Sequence, residues 1–255
     1  MMALTHIPSP RMGQCQLTYL ARAPIDYARA LRQHEDYCRV LRACGAEVRT
    51  LDVNRELPDC AFIEDAAVVL DEVAVLASMG TPSRRPELAG IESELRHYRE
   101  VRRVETPATL EGGDVLRVGR TLLVGLSSRT NPAGASALEE VVRPHGYGVV
   151  RVPVRGCLHL KTACTALDDA RLLVNPAWLD VTALSGYEWI PVPEDEPWAA
   201  NTARVGGSVC VAAVYPRTAD LIGGLGFDVR TIDLSEFAKA EGGVTCLSLL
   251  FRPPA

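Results

Sequence analysis

The sequence has no excess of basic residues and no long apolar run, and each absence excludes a class of protein. Its 255 residues carry a formal net charge of -5, and the lysines and arginines are scattered along the chain. A nucleic-acid surface needs a basic face, so we expect no nucleic-acid partner. No run approaches the roughly 18 apolar residues of a membrane span, and the N-terminus lacks the regions of a signal peptide. We therefore expect no membrane partner either.

Paired cysteine motifs are also absent. The eight cysteines show no C-x-x-C spacing, which argues against a zinc ribbon and a thioredoxin-type site. We expect reduced thiols, no metal site and a cytoplasmic location. Hydrophobic residues make up 47% of the chain, enough for a substantial core. Because no long linker or low-complexity segment interrupts the chain, we expect one domain over residues 1–255.

The C-terminal stretch 241–251 combines a glycine pair, a thiol and an apolar run. Two glycines lead into Cys246, and residues 247–251 predict a strand that carries the chain away. Taken alone, this stretch favours a buried structural thiol, because free cysteine is among the most buried residue types. A nucleophile at the start of a strand is the alternative.

A weak internal repeat of about 40 to 50 residues organises the chain. Its clearest copies share a glycine and a short β-branched strand, at residues 45–53, 146–154 and 226–234. Two looser copies cover residues 98–106 and 187–192. Each strand follows a predicted helix or helical turn, such as the helix between Ile25 and Cys44 and the helix that begins at Asn131-Pro132.

Four predicted β-hairpins separate these returning strands from the next helices. Their turns fall at residues 71–72, 119–120, 168–169 and 206–207. The fifth hairpin is missing from the interior, and we expect strand 3–8 and the strand from Cys246 to supply it by pairing. The repeats thus predict an α/β fold of five strand-hairpin-helix-strand units closed through the termini. A doubly wound sheet fits less well, because a hairpin in each unit is not a simple βαβ crossover.

Reactive side chains occupy the same place in each repeat, in the loop between a returning strand and the next hairpin. They are Asp59, Glu64, Asp65, Glu111, His159, Asn201 and Cys246. In a closed ring these loops converge at one end of the axis, so a thiol, an imidazole and several carboxylates would meet there.

This set of residue types suits nucleophilic attack on a cationic carbon. The pKa of a cysteine thiol, ordinarily about 8.5, must be lowered by a cation or by the substrate itself. His159 is a candidate general acid and base, and Glu111 a candidate to orient its ring. Glu64 and Asp65 would accommodate a cationic guanidinium. Each residue also has a plain structural interpretation, His159 as a core histidine and Glu111 as a turn residue.

At this point the motifs match a family nearly end to end. They are Asp26-Tyr-Ala-Arg-Ala-Leu, Phe62-Ile-Glu-Asp65, Ser83-Arg84-Arg85, Glu111-Gly-Gly-Asp114, Ser128-Arg129-Thr-Asn131, Leu158-His-Leu-Lys-Thr162, Ala199-Ala-Asn201, Tyr215-Pro-Arg217 and Gly242-Gly-Val-Thr-Cys246. In order and spacing the chain resembles the dimethylarginine dimethylaminohydrolases. These are guanidino-modifying enzymes of the pentein superfamily, whose fold is a fivefold pseudosymmetric α/β propeller.

The resemblance implies a reaction and its catalytic residues. Cys246 would attack the guanidinium carbon of an Nω-methylated L-arginine, and His159 would protonate the departing methylamine or dimethylamine. His159 would then activate water against the thiouronium intermediate and release L-citrulline, with Glu111 orienting its ring. The chemistry requires no cofactor and no metal.

The resemblance also implies a binding site for the substrate, a small methylated arginine. Glu64 and Asp65 would bind or frame the guanidinium. The positions expected to hold the amino-acid end are Asp59, Arg84, Arg129 and the backbone near Leu17. An arginine fork suits a carboxylate because it binds bidentately. Residues 13–24 form a lid-like stretch that is less like the family.

Three questions stay open from the sequence. An arginine deiminase or amidinotransferase of the same superfamily is the first alternative, although Lys161 stands where deiminases carry an acid and so favours methylated substrates. A non-catalytic propeller that binds an amino acid is the second alternative. The oligomeric state is undetermined, with a homodimer as one candidate.

Overall fold

Five small sheets of three strands each follow one another along the chain. The structure is a computed structural model that describes residues 1–253. The strands are β1 (Met2–His6), β2 (Glu47–Leu51), β3 (Ala67–Val69), β4 (Val73–Leu76), β5 (Glu100–Arg103), β6 (Val115–Val118), β7 (Thr121–Leu126), β8 (Gly148–Pro153), β9 (Cys164–Ala166), β10 (Arg171–Val174), β11 (Glu188–Pro191), β12 (Ala203–Val205), β13 (Ser208–Ala212), β14 (Asp228–Ile232) and β15 (Ser248–Phe251). The α-helices are α1 (Tyr27–Ala43), α2 (Leu88–Leu95), α3 (Pro132–Val142), α4 (Leu160–Ala163), α5 (Pro216–Gly224) and α6 (Ser235–Ala238).

The same pairing pattern recurs in every sheet. The middle strand is antiparallel to its hairpin partner and parallel to the strand that returns after the helical segment, as in β3-β4-β5. The four predicted hairpins are present at the predicted turns. In the first sheet β1 pairs antiparallel with β15, with Met2 opposite Phe251 and Thr5 opposite Ser248. The predicted closure through the termini is therefore confirmed.

Helix boundaries follow from local capping chemistry. The Asp26 side chain accepts a hydrogen bond from Arg29 N and caps α1, and Gly45 after its end has a φ of +88°. The fourth repeat differs, because its connection carries only a 3₁₀ turn at Val181–Leu184. Helix α2 ends at Leu95, so Tyr98 lies beyond it and packs edge-on against Phe251 at 5.2 Å between ring centroids.

Buried apolar residues form clusters between neighbouring repeats. Leu4, Ile91 and Phe251 belong to one cluster, which joins the first repeat to the second. Tyr37 and Phe237 belong to another, which joins the fifth repeat back to the first. Because each repeat buries its apolar face against the next, the ring is a consequence of the core. Within residues 1–253 no helix combines the length and apolar character needed to cross a membrane.

We expect Asn131→Ala to lower the free energy of unfolding by about 1 to 3 kcal/mol. The Asn131 side chain accepts hydrogen bonds from Gly134 N at 2.8 Å and Thr109 N at 3.1 Å, and it donates one to Pro107 O. Chemical denaturation measures the loss. Glu140→Ala, an exposed position on the same helix, should change the value by less than about 0.5 kcal/mol. Equal effects of the two substitutions would contradict the capping role.

Candidate active site

The reactive side chains lie directly ahead of the first strand of each hairpin. Glu64 and Asp65 are in the 3₁₀ turn before β3, Glu111 precedes the turn before β6, and His159 precedes α4 and β9. Cys246 lies in the 3₁₀ turn before β15. These loops are brought together as the sequence predicts, since side chains from all five repeats take part in the network described below.

His159 lies in a buried, negatively charged environment. Its Nε2 donates a hydrogen bond to Glu111 Oε2 at 2.8 Å, and its Nδ1 lies 3.7 Å from Asp65 Oδ1. Burial alone would lower the pKa of the imidazole, but Asp65, Asp114 and Glu111 together raise the pKa of His159 to about 9. The imidazole is therefore a cation at neutral pH and ready to act as an acid.

Arg84 has a different place from the one expected for it. Its guanidinium donates to Asp65 Oδ2 at 2.6 Å, to both carboxylate oxygens of Glu87, and to Phe62 O. The side chain is 4% exposed, so its donors are used inside the protein. Arg84 therefore holds Asp65 in place, and contact with a substrate carboxylate, the role expected for it from the sequence, stays a prediction.

A buried network joins Glu64 to the loop of the candidate nucleophile. Lys161 Nζ lies 2.5 Å from Glu64 Oε1, and Thr245 Oγ1 donates to Glu64 Oε2 at 2.6 Å. Asn201 accepts from Thr245 N at 3.0 Å and donates to Lys161 O at 2.9 Å. Burial raises the pKa of Glu64, while Lys161 and Thr245 oppose that rise. The sequence did not indicate that Lys161 pairs with Glu64.

Cys246 is held as a neutral thiol. Its Sγ accepts a hydrogen bond from Gly243 N at 3.3 Å. Burial, followed by the negative charges of Glu64 and Asp65, raises the pKa of Cys246 to about 12. Without a further positive charge at the site, almost no thiolate exists at neutral pH.

Two glycines allow the site residues to approach one another closely. A Cβ at Gly113 would lie 2.7 Å from His159 Nδ1 and 2.6 Å from Asp65 Oδ1. A Cβ at Gly243 would lie 2.4 Å from Asn201 Oδ1. All three distances are too short for a real Cβ, so Gly113 and Gly243 are required by packing.

Asp114 is a site residue whose role the sequence reasoning missed. Its carboxylate accepts a hydrogen bond from Leu160 N at 2.8 Å, which caps α4 directly after His159, and another from Ser127 Oγ. Burial raises the pKa of Asp114 to about 6. The motif Glu111-Gly-Gly-Asp114 contains the signal, but the partners of Asp114 come from distant loops.

The residues expected at the amino-acid end lie under the lid stretch. Asp59 accepts a hydrogen bond from Gln16 N at 3.0 Å, and burial raises the pKa of its carboxyl. Arg129 donates to Thr18 Oγ1 at 3.1 Å, and its Nη1 lies 3.6 Å from Glu111 Oε1. Leu17 is half-buried beside them. Unlike Arg84, Arg129 bonds to hydroxyls, which a substrate carboxylate can replace.

Two cavities adjoin these residues. One has a volume of about 280 Å³ and is lined by Cys246, Leu20, Trp198, Tyr215 and Glu241 among others. The other, of about 480 Å³, is lined by Glu64, Lys161 and Thr245. The neighbouring residues Thr245 and Cys246 therefore border different cavities.

One group in the described part of the chain has ligand atoms close enough to hold a metal ion. Asp65, Glu111 and His159 each offer one ligand atom, all within 4.8 Å of one another. A metal binds only the neutral imidazole, and the carboxylates that raise the pKa of His159 to about 9 favour its proton instead. A cation would have to displace that proton.

The raised pKa of His159 makes the stability of the fold depend on pH. A pKa that rises from 6.5 to about 9 on folding contributes stability that is complete below pH 6.5 and is lost as the pH passes through about 9. We expect wild type to lose at most about 3 kcal/mol relative to His159→Gln across this window. Denaturation at several pH values measures the difference. His97→Gln, at an exposed histidine, should follow wild type, and a parallel His159→Gln curve would contradict the shift.

The charges around Cys246 should control its reactivity toward iodoacetamide. Glu64→Gln removes a negative charge and should lower the pKa of the thiol, with about tenfold faster alkylation at pH 8 for each unit lowered. Lys161→Met removes a positive charge that lowers this pKa and should slow the reaction. The rate is measured by mass spectrometry of the modified protein. Changes of the same sign in both variants would refute the electrostatic explanation.

Comparisons with known proteins agree with this geometry. The profile of the family described as "N,N dimethylarginine dimethylhydrolase, eukaryotic" matches residues 19–167. The N(G),N(G)-dimethylarginine dimethylaminohydrolase of Streptomyces coelicolor is 41% identical over 252 residues, 98% of this chain and 96% of that protein. A cysteine-to-serine variant of the Pseudomonas aeruginosa enzyme, complexed with citrulline, matches with a TM-score of 0.93 at 34% identity over 98% of each chain. The N-terminal domain of ArgZ, a cyanobacterial arginine dihydrolase, covers 99% of this chain and 98% of that domain with a TM-score of 0.86, and at 22% identity it shares the fold alone. The chain therefore belongs to the dimethylarginine dimethylaminohydrolase family and has the fivefold α/β propeller of the penteins.

Proposed function

We propose that this chain hydrolyses Nω-methylated L-arginines, both the asymmetric dimethyl and the monomethyl forms, to L-citrulline and dimethylamine or methylamine. The observation that carries the proposal is the hydrogen bond between His159 and Glu111 beside Asp65, whose negative charge acts on both His159 and Cys246. A bound citrulline in the P. aeruginosa relative supports the product.

The charge balance of the site explains why a guanidinium is the substrate. Burial, together with the negative charges of Glu64 and Asp65, holds the pKa of Cys246 far above neutrality. A cationic guanidinium beside Asp65 offsets these charges and lowers the pKa of the thiol, so that the thiol releases its proton to solvent as the guanidinium carbon is presented to the sulfur. The nucleophile is thus activated by the substrate that it attacks.

The reaction then follows from the protonation states. The Cys246 thiolate adds to the guanidinium carbon, and protonated His159 donates its proton to the methylated nitrogen, so the C–N bond breaks and the amine leaves. Neutral His159 next takes a proton from water, whose oxygen adds to the thiouronium carbon. The C–S bond then breaks while the hydroxyl group of the adduct loses its proton to solvent, so that citrulline leaves and the thiolate is restored. Glu111 keeps the imidazole oriented throughout.

Asp59, Arg129 and the Leu17 backbone are proposed to hold the amino-acid end. Arg129 would exchange its hydroxyl partners for the substrate carboxylate, and Asp59 would accept the α-ammonium group. Arg84 acts indirectly, by fixing Asp65. Lys161 neutralises Glu64, so that the site lacks a second free acid for the terminal nitrogens of unmethylated arginine.

We further propose that residues 1–255 form a single catalytic domain and that the protein is cytoplasmic. The apolar clusters shared between repeats support the first point, and eight free cysteines support the second. The homodimer considered from the sequence stays a prediction.

The decisive test is a substrate panel of mono- and dimethylated arginines, arginine and agmatine. We expect citrulline and an equimolar amine from the methylated substrates, with arginine used far less well. Cys246→Ser should reduce kcat by at least about a thousandfold, because the step needs the sulfur nucleophile. An acid quench of wild type during turnover should trap a covalent adduct on Cys246.

Each alternative has its own outcome in this experiment. Preferred release of ammonia from arginine would indicate a deiminase, and transfer of the amidino group to an added amine would indicate an amidinotransferase. Ligand binding without turnover in wild type, unaffected by Cys246→Ser, would indicate a non-catalytic propeller. His97→Gln serves as the active control.

A further inference from the structure

The Glu241 carboxylate accepts hydrogen bonds from three consecutive backbone amides of the lid segment, residues 13–24. Glu241 Oε1 accepts from Thr18 N at 3.0 Å, Tyr19 N at 2.6 Å and Leu20 N at 2.7 Å. We propose that Glu241 is a positioning residue whose carboxylate holds the lid closed over the active site and so sets the affinity for substrate. This inference rests on the proposed function.

The backbone of Glu241 has a left-handed conformation that is unfavourable for a residue with a side chain. Its φ is +60°, and among residues 1–253 it is the one non-glycine residue with a positive φ. The residue lies in the turn after α6, where Gly242 N donates to Phe237 O. Glycine is the usual residue in such a left-handed turn, so a glutamate there costs conformational energy that its side-chain contacts offset.

Asp59 and Arg129 hold Gln16 and Thr18 of the lid, but the next two residues, Tyr19 and Leu20, have few other contacts with the body of the protein. The side chains of Tyr19 and Leu20 are 44% and 41% exposed, so burial of apolar surface contributes little there. Arg22 bonds to Gly13 O and Cys15 O, within the lid itself. Lys239 reaches only its far end, at Pro24 O. The carboxylate of Glu241 is therefore the main contact between residues 19–20 and the body of the protein.

The contact between the Glu241 carboxylate and the backbone amides of residues 18–20, called the latch below, joins the lid to the loop of the proposed nucleophile. Gly242, the next residue, packs so closely under Phe62 that a Cβ there would lie 2.4 Å from the ring, which fixes the base of Glu241. At the other end of the latch, Thr18 accepts from Arg129, the residue proposed to bind the substrate carboxylate. Release of the latch should thus disturb substrate binding more than the chemical step.

A second consequence concerns access to the thiol. Leu20, Glu241 and Cys246 line the same cavity of about 280 Å³. When the carboxylate holds Leu20 in place, the lid forms part of the wall of this cavity. A lid without its latch would expose Cys246 to reagents in solution.

We expect Glu241→Ala to raise KM for asymmetric dimethylarginine by about tenfold while kcat changes by less than about threefold. Glu241→Gln, which keeps an acceptor oxygen but loses the charge, should lie between this variant and wild type. Glu241→Gly removes the carboxylate and relaxes the left-handed backbone. It should match wild type in thermal stability and still show the raised KM, which separates loss of the latch from misfolding. Glu194→Ala, an exposed carboxylate elsewhere, is the control.

Two measurements test the latch without turnover. In Glu241→Ala, iodoacetamide should alkylate Cys246 several times faster, and a protease should cut within residues 13–24 earlier, than in wild type. If wild type fails to hydrolyse methylarginines, the proposed function is wrong, and these two measurements still decide whether the latch exists. Unchanged KM, alkylation and proteolysis in Glu241→Ala would overturn the inference, as would a fall in kcat at constant KM.

Discussion

The burial of several carboxylates in one small space is the constraint on which the rest of the structure depends. Glu64, Asp65, Glu111 and Asp114 are all less than 9% exposed. A buried charge without a partner is strongly unfavourable, so each must meet a cation or a set of hydrogen-bond donors. Glu64 meets Lys161 and Thr245, and Asp65 meets Arg84 and Gly113. Glu111 meets His159 and Gly80, and Asp114 meets Leu160 and Ser127. Most of them lie far away in sequence, and the site forms only when the repeats are packed together.

Closure of the ring supplies that packing. Strand β15 can pair with β1 only when both ends of the chain reach the same sheet, and this pairing carries Thr245 to Glu64, 181 residues away. Cys246 follows directly. The position of the candidate nucleophile is thus fixed by strand β15, which pairs with β1.

Most of the fold could be predicted from the sequence, because hairpins and capped helices are local. Turns at Gly119-Arg120 and Gly206-Gly207 and the cap at Asn131 are encoded by neighbouring residues. The fourth repeat was weak in sequence, and its connection contains only a short 3₁₀ turn. The family and its fold followed from motif order, as the comparisons confirm.

The pairing inside the site could not be predicted to the same degree. The sequence indicated which loops converge and which residues they carry, and His159 does bond to Glu111. The sequence could not show that Arg84 donates its hydrogen bonds to Glu87 and Asp65, since a guanidinium suits a substrate carboxylate and a buried acid equally well. The choice depends on distances across the ring, and these are not written in any local pattern.

Buried carboxylates have opposite consequences for the two residues proposed to carry out the reaction, and Asp65 acts on both of them. Asp65, Asp114 and Glu111 stabilise the proton of His159, which is useful for expelling an amine. Burial and the charges of Glu64 and Asp65 destabilise the thiolate of Cys246. In the free protein both groups are therefore protonated, unlike a site that keeps a permanent thiolate beside an imidazolium. Because oxidation and alkylation both require the thiolate, the empty site is protected from them. The proposed activation by a bound cation would thus combine selectivity for guanidinium compounds with chemical stability of the proposed nucleophile.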